Sequence, residues 1–210
     1  AAGLITIMKN CIYLVGFMGT GKSTVGQALA SALGWQFIDL DNLIELRQKR
    51  TIADIFAKDG EAYFRSLETR VLREVAQEKK FVVGCGGGIV LKPENLMIMK
   101  RTGHVICLQA SVECIIKRTE GASHRPLLHA VDPRQRIEFL LKMRAPYYAQ
   151  ADMFIDTSTL TVSEVVTALK QKIFLADRAG VRSAKAKARR KTKTRMPRIR
   201  TKKIMKKRRK

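Results

Sequence analysis

Gly16-Phe17-Met18-Gly19-Thr20-Gly21-Lys22-Ser23 decides how this chain is read. The stretch fits G-x-x-x-x-G-K-[ST], the phosphate-binding P-loop. Cys11–Val15 precedes it, a short apolar run that predicts a strand. Val25–Leu33 follows it, small and helix-compatible, with Gly34 placed to cap the helix. Strand, glycine turn and helix together form the context that gives the motif meaning. The glycines let successive backbone N–H groups point at phosphate oxygens, and the positive end of the helix adds to that field. Gly19, Thr20, Gly21, Lys22, Ser23 and Thr24 form the expected nucleotide-phosphate segment. Within it Lys22 reaches the β- and γ-phosphates, and the Ser23 hydroxyl helps to hold Mg²⁺.

Outward from this segment, strands alternate with helices. Gln36–Asp41 reads as a second strand ending in acids, and Asn42–Arg50 as a short helix. Thr51 has the pattern of an N-cap with Asp54 at the capping-box position. A longer helix is predicted over 61–78, a third strand over 81–85 running into Gly86-Gly87-Gly88, and a helix over 93–101. A fourth strand (104–108), a helix from Ser111 to Arg118, a loop (119–133), a helix (134–149) and a fifth strand (153–156) follow. The last predicted helix covers 162–175. This order gives an α/β domain with a five-stranded parallel sheet. A loop as long as 119–133 inside a compact domain is functional or mobile as a rule.

Charge divides the chain. The formal net charge is +23, and residues 177–210 contain 18 of the 41 lysines and arginines with a single acid, Asp177. Residues 8–176 read as a mildly basic globular domain, and 177–210 as a disordered, self-repelling tail. Such a tail binds polyanions nonspecifically, with steep salt dependence. It holds no aromatic residue for base stacking. The four cysteines form no CxxC pair, which reads as buried free thiols in a reducing cytoplasm. Residues 1–8 are too short for a signal peptide, Met8 is a candidate start, and no run reaches membrane-spanning length.

Several side chains carry two readings. Asp39 and Asp41 stand two apart at a strand end, on one side if the strand stays extended. They are either a metal-supporting acid and a base for a substrate hydroxyl, or a solvated helix start. A P-loop enzyme commonly has its metal-binding acid after the neighbouring strand. Gly84-Cys85 stands there instead, so that role falls to Asp39. Arg65 has Glu61 four residues before it and Glu68 three after. It is either part of an exposed ion pair or a fork that grips a carboxylate. Arg144 has the same ambiguity. Arg125, in His124-Arg-Pro-Leu, suits a loop arginine closing over a transferring phosphoryl group. No Asn-Lys-x-Asp motif is present, which argues against a GTPase switch.

Taken in register, these segments resemble shikimate kinase. The P-loop, Phe37-Ile-Asp-Leu-Asp41, Ile52-Ala-Asp-Ile-Phe56 with Asp59-Gly-Glu61 and Phe64-Arg65, Gly86–Gly88, Arg125-Pro-Leu127 and Arg144-Ala-Pro-Tyr-Tyr148 fall in that family's order and spacing. The resemblance runs from about Lys9 to Leu175. It implies an adenylate-kinase-like P-loop fold and ATP-dependent phosphorylation of the 3-hydroxyl of shikimate. It assigns Asp41 as hydroxyl contact and base, Asp39 and Ser23 to Mg²⁺, Arg65 and Arg144 to the substrate carboxylate, and Gly86, Gly87 and Gly88 to substrate contact. It assigns Arg118 to adenine, and residues 119–133 to a lid from which Arg125 reaches both ligands. Cys85 departs from the family's usual small residue, which affects packing. A monomer is expected. The competing readings are another small-metabolite kinase, for gluconate or a nucleoside monophosphate, or a nucleic-acid-associated NTPase working through the tail.

Overall fold

The structure is a computed structural model that describes the backbone of residues 9–120 and 132–193, with side chains described as far as residue 179. Five parallel strands form one sheet in the order β2-β3-β1-β4-β5. They are β1 (Cys11–Val15), β2 (Gln36–Asp39), β3 (Phe81–Gly84), β4 (Gly103–Gln109) and β5 (Met153–Asp156). The helices are α1 (Lys22–Leu33), α2 (Leu40–Gln48), α3 (Ile52–Val75), α4 (Pro93–Thr102), α5 (Val112–Thr119), α6 (Pro133–Tyr148) and α7 (Val162–Lys193).

β1 lies at the centre, and all five of its residues are buried. Side chains alternate between the faces of a strand. Cys11, Tyr13 and Val15 accordingly join a core with Ile44, Phe64, Leu67 and Met99 on one face. Ile12 and Leu14 join Val25, Leu29, Val165 and Leu169 on the other. A strand buried on both faces reads as continuous apolar sequence, which is how Cys11–Val15 appeared.

Local chemistry sets several boundaries. Gly34 caps α1 in the left-handed conformation, at φ 65°. Thr51 and Asp54 form the expected capping box at the start of α3. The two helices anticipated between Thr51 and Glu78 are present within α3 and are separated at Gly60, whose φ of 81° and ψ of 172° are not helical. A residue other than glycine would be strained there. α3 stops at Val75, and turn hydrogen bonds from Gln77 and Glu78 follow it.

Two expectations need correction. β2 ends at Asp39, not Asp41. The Asp39 carboxylate accepts from the N–H groups of Asp41 (3.1 Å) and Asn42 (3.4 Å), so it caps α2 and ends the strand. Asp39 and Asp41 therefore do not share a strand face, because Asp41 sits in a helical turn. Secondly, helix continues to Lys193, where disorder was expected from 177 onward. Alanine, lysine and arginine are strong helix formers, and they dominate 176–193. Residues 194–210, and 121–131 with Arg125, lie outside the described residues.

The chain divides into two compact units, 1–173 and 174–210. In the second, the Arg178 guanidinium lies 5.4 Å from the centroid of the exposed Phe174 ring. Among the described residues no helix is long and apolar enough to cross a membrane.

Thr51→Ala removes one half of the capping box. It should cost about 1 kcal/mol in urea unfolding and leave any catalytic activity unchanged.

Candidate active site

Parallel pairing brings the carboxyl ends of β1, β2 and β3 to one edge. Leu14 of β1 and Asp39 of β2 both stand opposite Gly84 of β3. In an open parallel sheet this edge is where ligands bind. The P-loop leaves β1 there, and α1 starts at Lys22 with Gly21 in the left-handed region before it. Gly16, at φ 136°, passes so close to the Leu108 carbonyl that no side chain would fit. Gly19 packs against the end of α5, where a Cβ would meet Thr119 Cγ2 at 3.0 Å. The buried Thr20 hydroxyl donates to the Phe17 carbonyl at 2.8 Å. Thr24 is exposed on the first turn of α1.

Lys22 Nζ donates to the Gly16 carbonyl at 3.0 Å and to the Phe17 carbonyl at 2.9 Å, so the ammonium lies along the loop it serves. Ser23 Oγ donates to Asp39 Oδ2 at 3.0 Å. This hydroxyl–carboxylate pair beside the phosphate loop is the oxygen chemistry that suits Mg²⁺. The residues fit that ion.

Across the glycine triplet lies a second group. A Cβ on Gly86 would stand 2.7 Å from Asp41 Oδ1 and 3.1 Å from Glu68 Oε1. On Gly87 it would be 3.2 Å from Arg144 Nη1, and on Gly88 2.5 Å from Arg65 Nη2. The three glycines thus let two carboxylates and two guanidinium groups converge on bare backbone. The Tyr148 hydroxyl donates to the Gly87 carbonyl at 2.8 Å and fixes that peptide. Arg144 lies 5.7 Å from the Phe17 ring centroid, a cation–π contact that joins it to the P-loop.

Both predicted pairings of Arg65 are present, to Glu61 at 3.0 Å and to Glu68 at 2.9 Å. They differ in kind. Glu61 is exposed, whereas Glu68 is fully buried. An exposed pair alone contributes a few tenths of a kcal/mol, but a buried partner fixes where the guanidinium points. Burial opposes the charge on Arg65, and the two glutamates outweigh it, so its pKa rises.

Asp41 is pushed up to about 6, first by burial and then by repulsion from Asp39, against the pull of Lys22 and Arg65. Burial pushes Glu68 up to about 7, against Arg65. Asp41 Oδ1 and Glu68 Oε1 are buried with no hydrogen-bond partner among the described residues. Two such acceptors over one glycine are arranged to meet donors from a bound molecule.

This arrangement has known counterparts. Residues 18–174 match the family model described as SKI: Shikimate kinase. The chain belongs to the shikimate kinase family. A shikimate kinase from Thermodesulfovibrio yellowstonii is 44% identical over 158 residues, covering 75% of this chain and 91% of that one. One from Thermoanaerobacter pseudethanolicus is 45% identical over 158 residues, covering 75% and 92%. A solved shikimate kinase from Acinetobacter baumannii, in complex with shikimate, superposes with a TM-score of 0.76 at 38% identity, covering 81% of this chain and 96% of that one.

The residues picked out as shikimate-kinase-like thus fall into two neighbouring groups. Lys22, Ser23 and Asp39 gather at the P-loop, and Asp41, Arg65, Arg144 and Gly86–Gly88 beside it. Arg118 stands behind the P-loop, within 3.4 Å of the Gly19 carbonyl. Sequence reasoning saw Glu68 only as a helical neighbour of Arg65 and gave Tyr148 no role. An acid at i+3 on an otherwise apolar face of α3 was the available signal for Glu68. Cys85 is buried in the core beneath the site, and burial keeps its thiol protonated.

A carboxyl whose pKa is raised on folding holds its proton more tightly folded than unfolded. The stability that Glu68 contributes is therefore full below its ordinary 4.5 and is lost as pH rises through about 7. Glu68→Gln cannot ionise. In urea unfolding at pH 5 and pH 8, the variant's fall in stability should be smaller than the wild type's, by on the order of 1–3 kcal/mol.

Proposed function

We infer that this chain transfers the γ-phosphoryl group of ATP to the 3-hydroxyl of shikimate, giving shikimate 3-phosphate and ADP. The observation that carries this reading is the pair of unpartnered buried acceptors over Gly86, flanked by two arginines and adjoining the P-loop. A small polyhydroxy acid supplies what that group lacks. Its hydroxyls donate to the carboxylates, and its own carboxylate meets the planar forks of Arg65 and Arg144.

The chemistry then follows from placement. Asp41 accepts the proton of the attacking hydroxyl as the new oxygen–phosphorus bond forms. The bond from the γ-phosphorus to the bridging oxygen breaks, and that oxygen leaves with ADP. Lys22 and the P-loop N–H groups hold the phosphate charge, so positioning and electrostatics supply most of the catalysis. Ser23 and Asp39 would hold Mg²⁺, which would supply charge neutralisation at the phosphate oxygens. Arg125, from the 119–133 stretch, is assigned to the transferring group, and Arg118 to the adenine.

A monomer is proposed. Four free thiols, three of them buried, suit a reducing cytoplasm. Residues 177–210, lying beyond the family match, are proposed as a nonspecific polyanion-binding segment.

Three experiments test these assignments. In a panel assay of ADP release, shikimate is the expected acceptor. Turnover with gluconate or a nucleoside monophosphate but not shikimate would overturn the reading. Asp41→Asn should lower kcat by about 10²–10⁴ with the fold retained, and turnover at the wild-type rate would remove Asp41 as the base. For the tail, deletion of 177–210 should leave kcat within about twofold while abolishing retention on heparin near ~0.15 M salt. A loss of kinase activity in that deletion would instead favour an NTPase working through the tail.

A further inference from the structure

Thr157 follows β5 and is buried, and nothing in the reading above uses it. Its hydroxyl is a junction. Oγ1 donates toward two carbonyls, Thr20 at 3.0 Å and Gln109 at 3.1 Å, and accepts from Arg118 Nη1 at 3.0 Å. Its own carbonyl accepts from Arg118 Nη2 at 2.6 Å. Its single proton is shared between the two carbonyls, and one of its two lone pairs accepts from Arg118.

The two sides of this junction concern different parts of a nucleotide. Arg118 lies in the last turn of α5 and is exposed, and the two bonds to Thr157 hold its guanidinium. Holding a long side chain before a ligand arrives removes an ordering cost from binding. The Thr20 carbonyl belongs to the P-loop. The peptide unit is planar and trans, so a carbonyl held toward Thr157 turns the Gly21 N–H to the opposite side of the loop. The backbone N–H of Thr157 already ties this segment to β4, through the Gln109 carbonyl at 2.8 Å. The side chain is therefore not needed to anchor the strand end.

We propose that Thr157 is a positioning residue for the phosphoryl donor, joining the arginine that meets the base to the loop that meets the phosphates. The proposal rests on the kinase reading of the site. Thr157→Val keeps the shape and removes the hydroxyl, leaving the Thr20 carbonyl and a guanidinium N–H short of a partner.

The test is steady-state kinetics with ATP and shikimate varied separately. Wild-type turnover of shikimate is the control that isolates the kinase reading. Thr157→Val should raise KM for ATP about tenfold or more, leave KM for shikimate within about twofold, and be restored by Thr157→Ser. The double variant with Arg118→Gln should be no worse for ATP than the worse single variant, since both break one connection. An unchanged KM for ATP, an equal rise in both KM values, failure of Thr157→Ser to restore, or additive effects in the double variant would each overturn the proposal. Should Thr157→Val not fold, Thr157→Ala removes the same hydroxyl from a smaller side chain and is read in the same way.

Discussion

The pairing of β1 with β3 on one side and β4 on the other is the constraint on which the site depends. Parallel strands deliver all their carboxyl ends to one edge, so every loop that follows a strand there opens onto the same space. The P-loop follows β1, the capped start of α2 follows β2, the glycine triplet follows β3, and Thr157 follows β5. None of these segments is near the others in sequence. Continuous burial of β1 on both faces fixes its register, because a one-residue slip would exchange the two cores.

On that frame the electrostatics are uneven by design of placement. Asp39 is tied into backbone and Ser23 bonds and stands at a helix N-terminus, where negative charge is favoured. Asp41, two residues on, is buried against a second carboxyl, Glu68, and both are raised. The fold tolerates this because Arg65 and Lys22 offset part of the cost. Burying like charges together is unfavourable to stability, and a molecule bringing hydroxyl donors relieves the unpartnered oxygens.

Much of the site was legible in sequence, for reasons that differ by residue. The P-loop announces itself because backbone geometry requires glycine at fixed spacing. The capping box of Thr51 and Asp54 depends on four contiguous residues, and it formed as read. Asp39 was singled out on the wrong local geometry, since its own capping bonds end the strand before Asp41. Arg65 stayed ambiguous because helical spacing shows Glu61 and Glu68 alike, while only burial separates a wet pair from a fixed one. Thr157 carried no signal at all. Its importance lies in bonds to Thr20, Gln109 and Arg118, all distant along the chain.

The sequence by itself determined that Gly16–Ser23 has the P-loop pattern, that an α/β sheet surrounds it, and that the charge concentrates after residue 176. These follow from local rules: glycine's freedom, hydrophobic period and charge count. Only the tertiary structure decided which acids are buried, which arginines face bare backbone, and where Tyr148 and Thr157 reach. Those properties depend on packing between segments far apart in the chain, and no local rule encodes how far a side chain lies from a residue sixty positions away.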